Sequence, residues 1–178
     1  MTKMKLSMLA TLLIASAGVQ AEGVNLEIGY GAMKYSEPGI SMTPTAARVI
    51  VSQNVSENLA IEGMAAAGLS NGNTTYSGVG ISLKLDNAYG VYVKPKLKIN
   101  ESVEVFGRAG YTRIAGNATL TGNRGSLVLD MDGGDTSFGL GAKFAISKTT
   151  YAVVDYMSYY SKDRVTVKGY TFGLGMAY

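Results

Sequence analysis

The chain contains no cysteine, no histidine and no tryptophan, and only three prolines. Without cysteine there is no disulfide framework and no thiolate site. Without histidine the usual proton carrier of hydrolytic sites is missing, so Ser–His and Asp–His machinery is closed to it. The sequence therefore reads as a non-enzyme, and no residue pattern calls for a cofactor. Charge is also sparse: 16% of residues are charged and the formal net charge is +3. A balance that small gives no footing for nucleic-acid binding. Beyond the N-terminal segment, no stretch is apolar enough for long enough to form a spanning helix.

The start of the chain has the three parts of an export signal. Lys3 and Lys5 precede an apolar run from Leu6 to Val19, and Val19-Gln20-Ala21 supplies small residues for cleavage. This predicts a secretory signal peptide over residues 1–21, with Ala17 as an alternative cut. An uncleaved N-terminal anchor is the competing reading, and the apolar run is short for one. The exported domain is then residues 22–178. Its net charge falls to about +1, because two lysines and no acid leave with the leader.

That domain is rich in glycine (23) and tyrosine (12). The final nine residues set the pattern. Tyr170, Phe172, Leu174, Met176 and Tyr178 are large and apolar, while Thr171, Gly173, Gly175 and Ala177 are small. A strict period of two gives a strand with one greasy face and one nearly bare face. Seven further segments alternate in the same way: Val24–Tyr35, Pro44–Val55, Leu59–Leu69, Ala88–Ile99, Val103–Ile114, Asp135–Ile146 and Thr150–Tyr160. Val79–Leu85 is a shorter alternating piece that reads as part of a long connection. The connections alternate in length. About three residues follow the second, fourth and sixth strands, and longer stretches follow the first, third and fifth. The longer ones, Ser36–Thr43, Ser70–Asn87 and Ala115–Gly134, and the short Ser161–Arg164 after the seventh, are predicted to be the outer loops.

Charged residues fall on the small-residue face. In this register Glu27, Arg48, Glu62, Lys94, Lys96, Lys98, Glu104, Arg108, Lys143 and Asp155 point inward. The other face carries almost no charge, the reverse of a soluble barrel or sandwich. The expected fold is all-β: an eight-stranded antiparallel up-and-down transmembrane β-barrel. Two readings of the inward charges stay open. Opposite charges could bridge and plug the lumen, or they could line a narrow ion path. Tyr30, Tyr89, Tyr111, Tyr156, Tyr170 and Tyr178 fall on the outer face and are candidates for an aromatic girdle. Asp130, Asp132 and Asp135 surround Gly133-Gly134 and loosely suggest a calcium loop, without its closing Glu; an exposed acidic turn is the plainer reading.

With these residues in view the chain resembles the small eight-stranded outer-membrane barrels of Gram-negative bacteria, the OmpX/Ail-like and OmpA-barrel group. The stretches that carry the resemblance are Tyr89–Tyr111 and Ser137–Tyr178, with the inward Asp155 and the aromatic C-terminus. The resemblance implies an integral outer-membrane protein, monomeric and surrounded by lipid and lipopolysaccharide. It implies that the terminal strand (Tyr170, Phe172, Leu174, Met176, Tyr178) is read by the barrel assembly machinery. Tyr178 departs mildly from the Phe more usual at that position. Family members do different things, so activity does not follow. Surface interaction, adhesion or envelope support through the outer loops is expected, with a host or surface ligand as partner. A small ion or solute channel is the alternative.

Overall fold

The structure, a computed structural model, describes residues 23–178 except Arg124. The expected signal peptide lies outside the described residues. Ten strands follow one another: β1 (Val24–Glu37), β2 (Ile40–Met42), β3 (Thr45–Ser56), β4 (Leu59–Ser70), β5 (Gly72–Tyr76), β6 (Val79–Lys98), β7 (Val103–Gly122), β8 (Gly125–Ala145), β9 (Thr150–Lys162) and β10 (Val165–Ala177). All pair antiparallel. Eight of them form a ring in chain order, and β10 pairs β1 to close it, from Asn25↔Ala177 to Ser36↔Thr166. Closure matters physically, because a ring leaves no strand edge open where lipid offers no hydrogen bonds. β2 folds back on β1, and β5 on β6.

The alternation read from the sequence sets the two faces. Ile28, Tyr30, Val91, Val93, Phe138, Leu140, Phe172 and Leu174 stand outward and exposed. Their neighbours Asn25, Glu27, Arg48, Glu62, Lys94, Arg108, Ser137, Asp155 and Thr171 are buried inside. Eight strands leave a narrow interior, so large side chains need bare positions opposite them. A β-carbon on Gly175 would lie 2.3 Å from the Tyr151 ring, and one on Gly139 would lie 2.3 Å from the Met157 sulfur.

The turns at one end are short and locally determined. The Asn100 side-chain oxygen accepts from the Ser102 and Val103 amides, both at 2.9 Å, and the Ser147 hydroxyl accepts from the Thr150 amide at 3.0 Å. These are the side-chain-to-backbone bonds that favour Asn and Ser in tight turns. Gly23 and Tyr178 meet at the same end, where the Gly23 amide donates to the Tyr178 carbonyl at 2.9 Å.

The other end departs from expectation. Ala115–Gly134, predicted as a loop, is strand throughout most of its length. β7 and β8 stay in register from Val103↔Phe144 to Gly122↔Gly125. Ser70–Asn87 is likewise strand for the most part, with β5 and the first part of β6 joined by a turn in which Ser77 and Gly78 both have positive φ (49° and 79°). That is the backbone of a two-residue hairpin turn. Ser161–Arg164 narrows to a similar turn, with Asp163 at 52° and Arg164 at 66°. The Gly-, Asn- and Thr-rich composition suggested loops, but inward Ala118, Leu120, Leu127, Leu129 and Met131 keep the period of two. A second departure is local. A register shift at Val167/Lys168, opposite Ser158–Tyr160, brings Tyr160 opposite Val167 and turns it inward, whereas unbroken alternation from Tyr156 would point it outward.

Candidate functional site

At mid-height the lumen is filled by three cations and three anions. Arg108 on β7 is the hub. Its Nε donates to Glu62 Oε2 at 2.5 Å, its Nη2 to Glu27 Oε2 at 2.8 Å and its Nη1 to Asp155 Oδ2 at 2.5 Å. Arg48 on β3 forks onto Asp155, with Nη1 on Oδ1 at 3.0 Å and Nη2 on Oδ2. Lys94 on β6 reaches Glu27 at 3.2 Å and Glu62 at 3.0 Å. Six strands are thereby tied across the interior, and the cluster is neutral. Fork geometry suits Arg for this task, since one guanidinium meets several carboxylates in fixed directions.

Uncharged groups complete the filling. The Tyr151 hydroxyl donates to Glu27 at 3.2 Å, and the Tyr159 hydroxyl accepts from Arg48 at 3.1 Å. Phe106 lies under two cations, Lys94 at 4.2 Å and Arg108 at 4.5 Å from its centroid. Among the described residues no buried side-chain nitrogen or oxygen lacks a partner. Sequence reasoning did not single out Phe106, Tyr151 or Tyr159. Their signal was available: Tyr151 and Tyr159 share the odd phase of inward Asp155, and Phe106 the even phase of Arg108.

The remaining predicted lumen charges lie towards the short-turn end. Glu104 is buried, Lys96 and Lys143 are half-buried and Lys98 is exposed at the mouth. None of the four takes part in the central cluster. Lys96 donates to the Asn54 side chain at 2.7 Å, and Lys143 sits 3.9 Å over the Tyr151 ring.

Asp130, Asp132 and Asp135 do not converge. Successive strand residues alternate in direction, so Asp130 and Asp132 share the outer face of β8 while Asp135, opposite buried Thr112, faces in. Asp132 forms a two-bond pair with Arg113, both at 2.9 Å, and Asp135 accepts the Ser161 amide at 2.9 Å. The calcium-loop reading assumed a loop, whereas β8 is extended over these residues. Among the described residues no group of three or more His, Cys, Asp or Glu is placed to hold a metal.

The outer face changes character at a definite height. Five of the named tyrosines stand at that boundary. Going outward, Tyr89 is followed by Asn87, Tyr111 by Arg113, Tyr156 by Ser158, Tyr170 by Lys168, and Tyr30 by Ala32 then Lys34. Tyr156 and Tyr170 pair across strands with ring centroids 4.6 Å apart. Tyr178 stands at the opposite end. Below the boundary the outer face is apolar, apart from Gln53 on β3, over about seven to nine residues of each strand, close to the span of a tilted bilayer-crossing strand. Above it, β6, β7 and β8 run on as a wall. β8 pairs β9 only as far as Phe138↔Ser158, so from Gly125 to about Gly134 it has β7 on one side and, among the described residues, no strand on the other.

A family model described as the outer membrane protein beta-barrel domain matches residues 6–178. The chain belongs to this family. It is an outer-membrane protein, and the apolar belt is its lipid-facing surface. Among solved structures it is similar to Ail of Yersinia pestis, crystallised in complex with the heparin analogue sucrose octasulfate. That match has 21% identity and a TM-score of 0.63, and covers 88% of this chain and 99% of the other. Neisserial surface protein A is similar at 12% identity and a TM-score of 0.65, with 89% and 99% covered. OprG of Pseudomonas aeruginosa follows at 11% identity and a TM-score of 0.55, with 89% and 97% covered. At these identities the likeness is one of fold. No curated protein matches the chain.

Proposed function

We propose that this barrel is a non-catalytic, non-conducting surface protein that meets a macromolecular partner through the wall above the membrane. The observation that carries the reading is the free edge of β8. Among the described residues, its backbone donors and acceptors between Gly125 and Gly134 have strand β7 on one side only. An unpaired edge of that length is a template for strand addition, in which main-chain bonds supply affinity and side chains supply choice. The segment has no proline and no lysine of the kind that usually blunts an edge. The short turns at the other end are then periplasmic and the wall extracellular, as in barrels of this type. The outward tyrosines anchor the boundary at headgroup level among lipid and lipopolysaccharide, and the alternating terminal strand serves as the assembly signal.

Charge supports a backbone-led contact over a polyanion site. The Ail structure holds a heparin analogue. Here the outer end carries cations and anions in near balance, such as Arg113 with Asp132 and Lys84 with Asp86. The neutral, fully paired cluster in the lumen supports a closed barrel over an ion path.

The test is a shortened variant in which Gly116 is joined to Met131, removing the hairpin end of β7 and β8. Cells displaying the intact protein should adhere to a matrix-coated surface above background, and cells displaying the shortened barrel should not. Equal adhesion by both would contradict the reading. Loss of detergent resistance without loss of adhesion would point to envelope support.

A further inference from the structure

The wall has an inner face as well as an edge, and that face differs from the charged lumen below it. Where β6, β7 and β8 rise above the barrel, the residues turned towards the axis are apolar. They meet Met33 and Tyr35 of β1 and Val167 of β10 around a cavity of about 310 Å3 that opens to the outside. The size is at the lower end of the range of small-molecule sites. The cavity is blind. Beneath it Ile50, Met64, Tyr92 and Met157 pack as one buried cluster, with the ion-paired layer below that.

The lining indicates what would fit. Leu83, Ile114, Met131 and Val167 offer apolar surface, and methionines adapt their shape to varied guests. Tyr160, turned in by the β9 bulge, lies along Gly133, its ring 3.3 Å from where a β-carbon there would sit. Its hydroxyl makes no hydrogen bond to any described residue, so one donor is available in an otherwise greasy wall. The rim carries Lys162, Asp130 and Asp163, while Asp132 is held by Arg113 and Lys84 by Asp86. Acids outnumber bases there by one, too slight an excess at an open rim to select a charged headgroup.

We propose that this cup binds an uncharged lipophilic small molecule from outside the cell, with an apolar body against Met33, Met131 and Val167 and one hydrogen-bond acceptor on the Tyr160 hydroxyl. The site is independent of the β8 edge, because it uses the inner face of the wall.

The experiment is methyl NMR of the full-length protein in lipid nanodiscs, labelled at methionine and titrated with the uncharged probe N-phenyl-1-naphthylamine. Met33 and Met131 line the cup, whereas Met176 faces lipid and reports simple partition into the bilayer. Met33 and Met131 should shift saturably while Met176 changes linearly or not at all. Met131→Glu should weaken the saturable binding at least tenfold, and Gly133→Val, which fills space without adding charge, should weaken it too. Tyr160→Phe should lower affinity a few-fold and leave saturation intact. Dodecanoate and dodecyltrimethylammonium should bind at least tenfold more weakly than the neutral probe. Shifts confined to Met176, or saturable binding that neither Met131→Glu nor Gly133→Val weakens in protein that still shows heat-modifiable migration, would overturn the proposal. Equal binding of either charged amphiphile would overturn its requirement for a neutral ligand.

Discussion

The middle of the lumen and its outer mouth are built from the same eight-stranded ring, yet they solve opposite problems. At mid-height the interior is polar and full. Arg48, Lys94 and Arg108 meet Glu27, Glu62 and Asp155 with no net charge left over. At the mouth the interior is apolar and open, with Leu83, Ile114, Met131 and Val167 around a cavity. In the middle, every buried side-chain nitrogen and oxygen of the described residues has a partner, and an unpaired charge there would be costly. At the mouth the walls are apolar although water can reach them, which folding of the ring alone does not require. That difference is the ground on which closure is proposed for the middle and recognition for the mouth.

The comparison can be broken most sharply at Arg108. Arg108→Met would leave three carboxylates facing Arg48 and Lys94 alone. Removing one partner of a buried ionic cluster costs roughly 3–5 kcal/mol. The urea midpoint of the variant in detergent should fall accordingly, and a midpoint within error of wild type would contradict the role given to the hub. Overfilling is the next largest effect. Gly175→Leu would push a side chain into the Tyr151 ring, which itself donates to Glu27. Strain of about 1–3 kcal/mol is expected, seen as slower refolding yield and a lower midpoint. At the mouth a truncation should cost less. Met131→Ala removes side-chain volume beside space that is already open, so its destabilisation should fall below the roughly 2–5 kcal/mol typical of Met→Ala in a packed core. A loss as large as that would mean the cavity is filled in the folded protein.

The smallest effect belongs to the exposed pair on the wall. The Arg113 guanidinium, through its hydrogen bonds, holds the Asp132 carboxyl below its ordinary value of 3.8. A depressed folded-state value stabilises above the ordinary value, and the contribution fades as pH falls through it and then through the folded value. Wild type should therefore exceed Asp132→Asn in stability only above about pH 4, and only slightly, since both groups are exposed. A large gap that persists into acid would show that Asp132 does something other than pair with Arg113.

Much of this arrangement was legible in the chain. Strict alternation in Tyr170–Tyr178 placed large residues outward and small ones inward, and the same period put Glu27, Arg48, Glu62, Lys94, Arg108 and Asp155 on the inner face. Alternation fixes a face but says nothing of height along the axis. Lys98 and Lys143 therefore read as equals of Arg108, although one is exposed at the short-turn end and the other lies over a ring. The wall was hidden for a different reason. Ala115–Gly134 is rich in Gly, Asn, Thr and Asp, the residues of turns, and strand pairing overrode that preference through β7–β8 register. Tyr160 departs from the phase of Tyr156 because a bulge shifts it by one residue, and no local composition announces the bulge. The cup combines both blind spots, so it emerges only from the assembled ring.

The central claim is that the ion-paired layer closes the barrel. Single-channel recording of the refolded protein in a planar bilayer tests it directly, beside Arg108→Met and Glu62→Gln. The wild-type barrel, shown to be folded by heat-modifiable migration, should be silent, and the variants should admit current if the layer is what seals it. Stable conductance steps from the folded wild-type protein would contradict the account and give the lumen charges to an ion path.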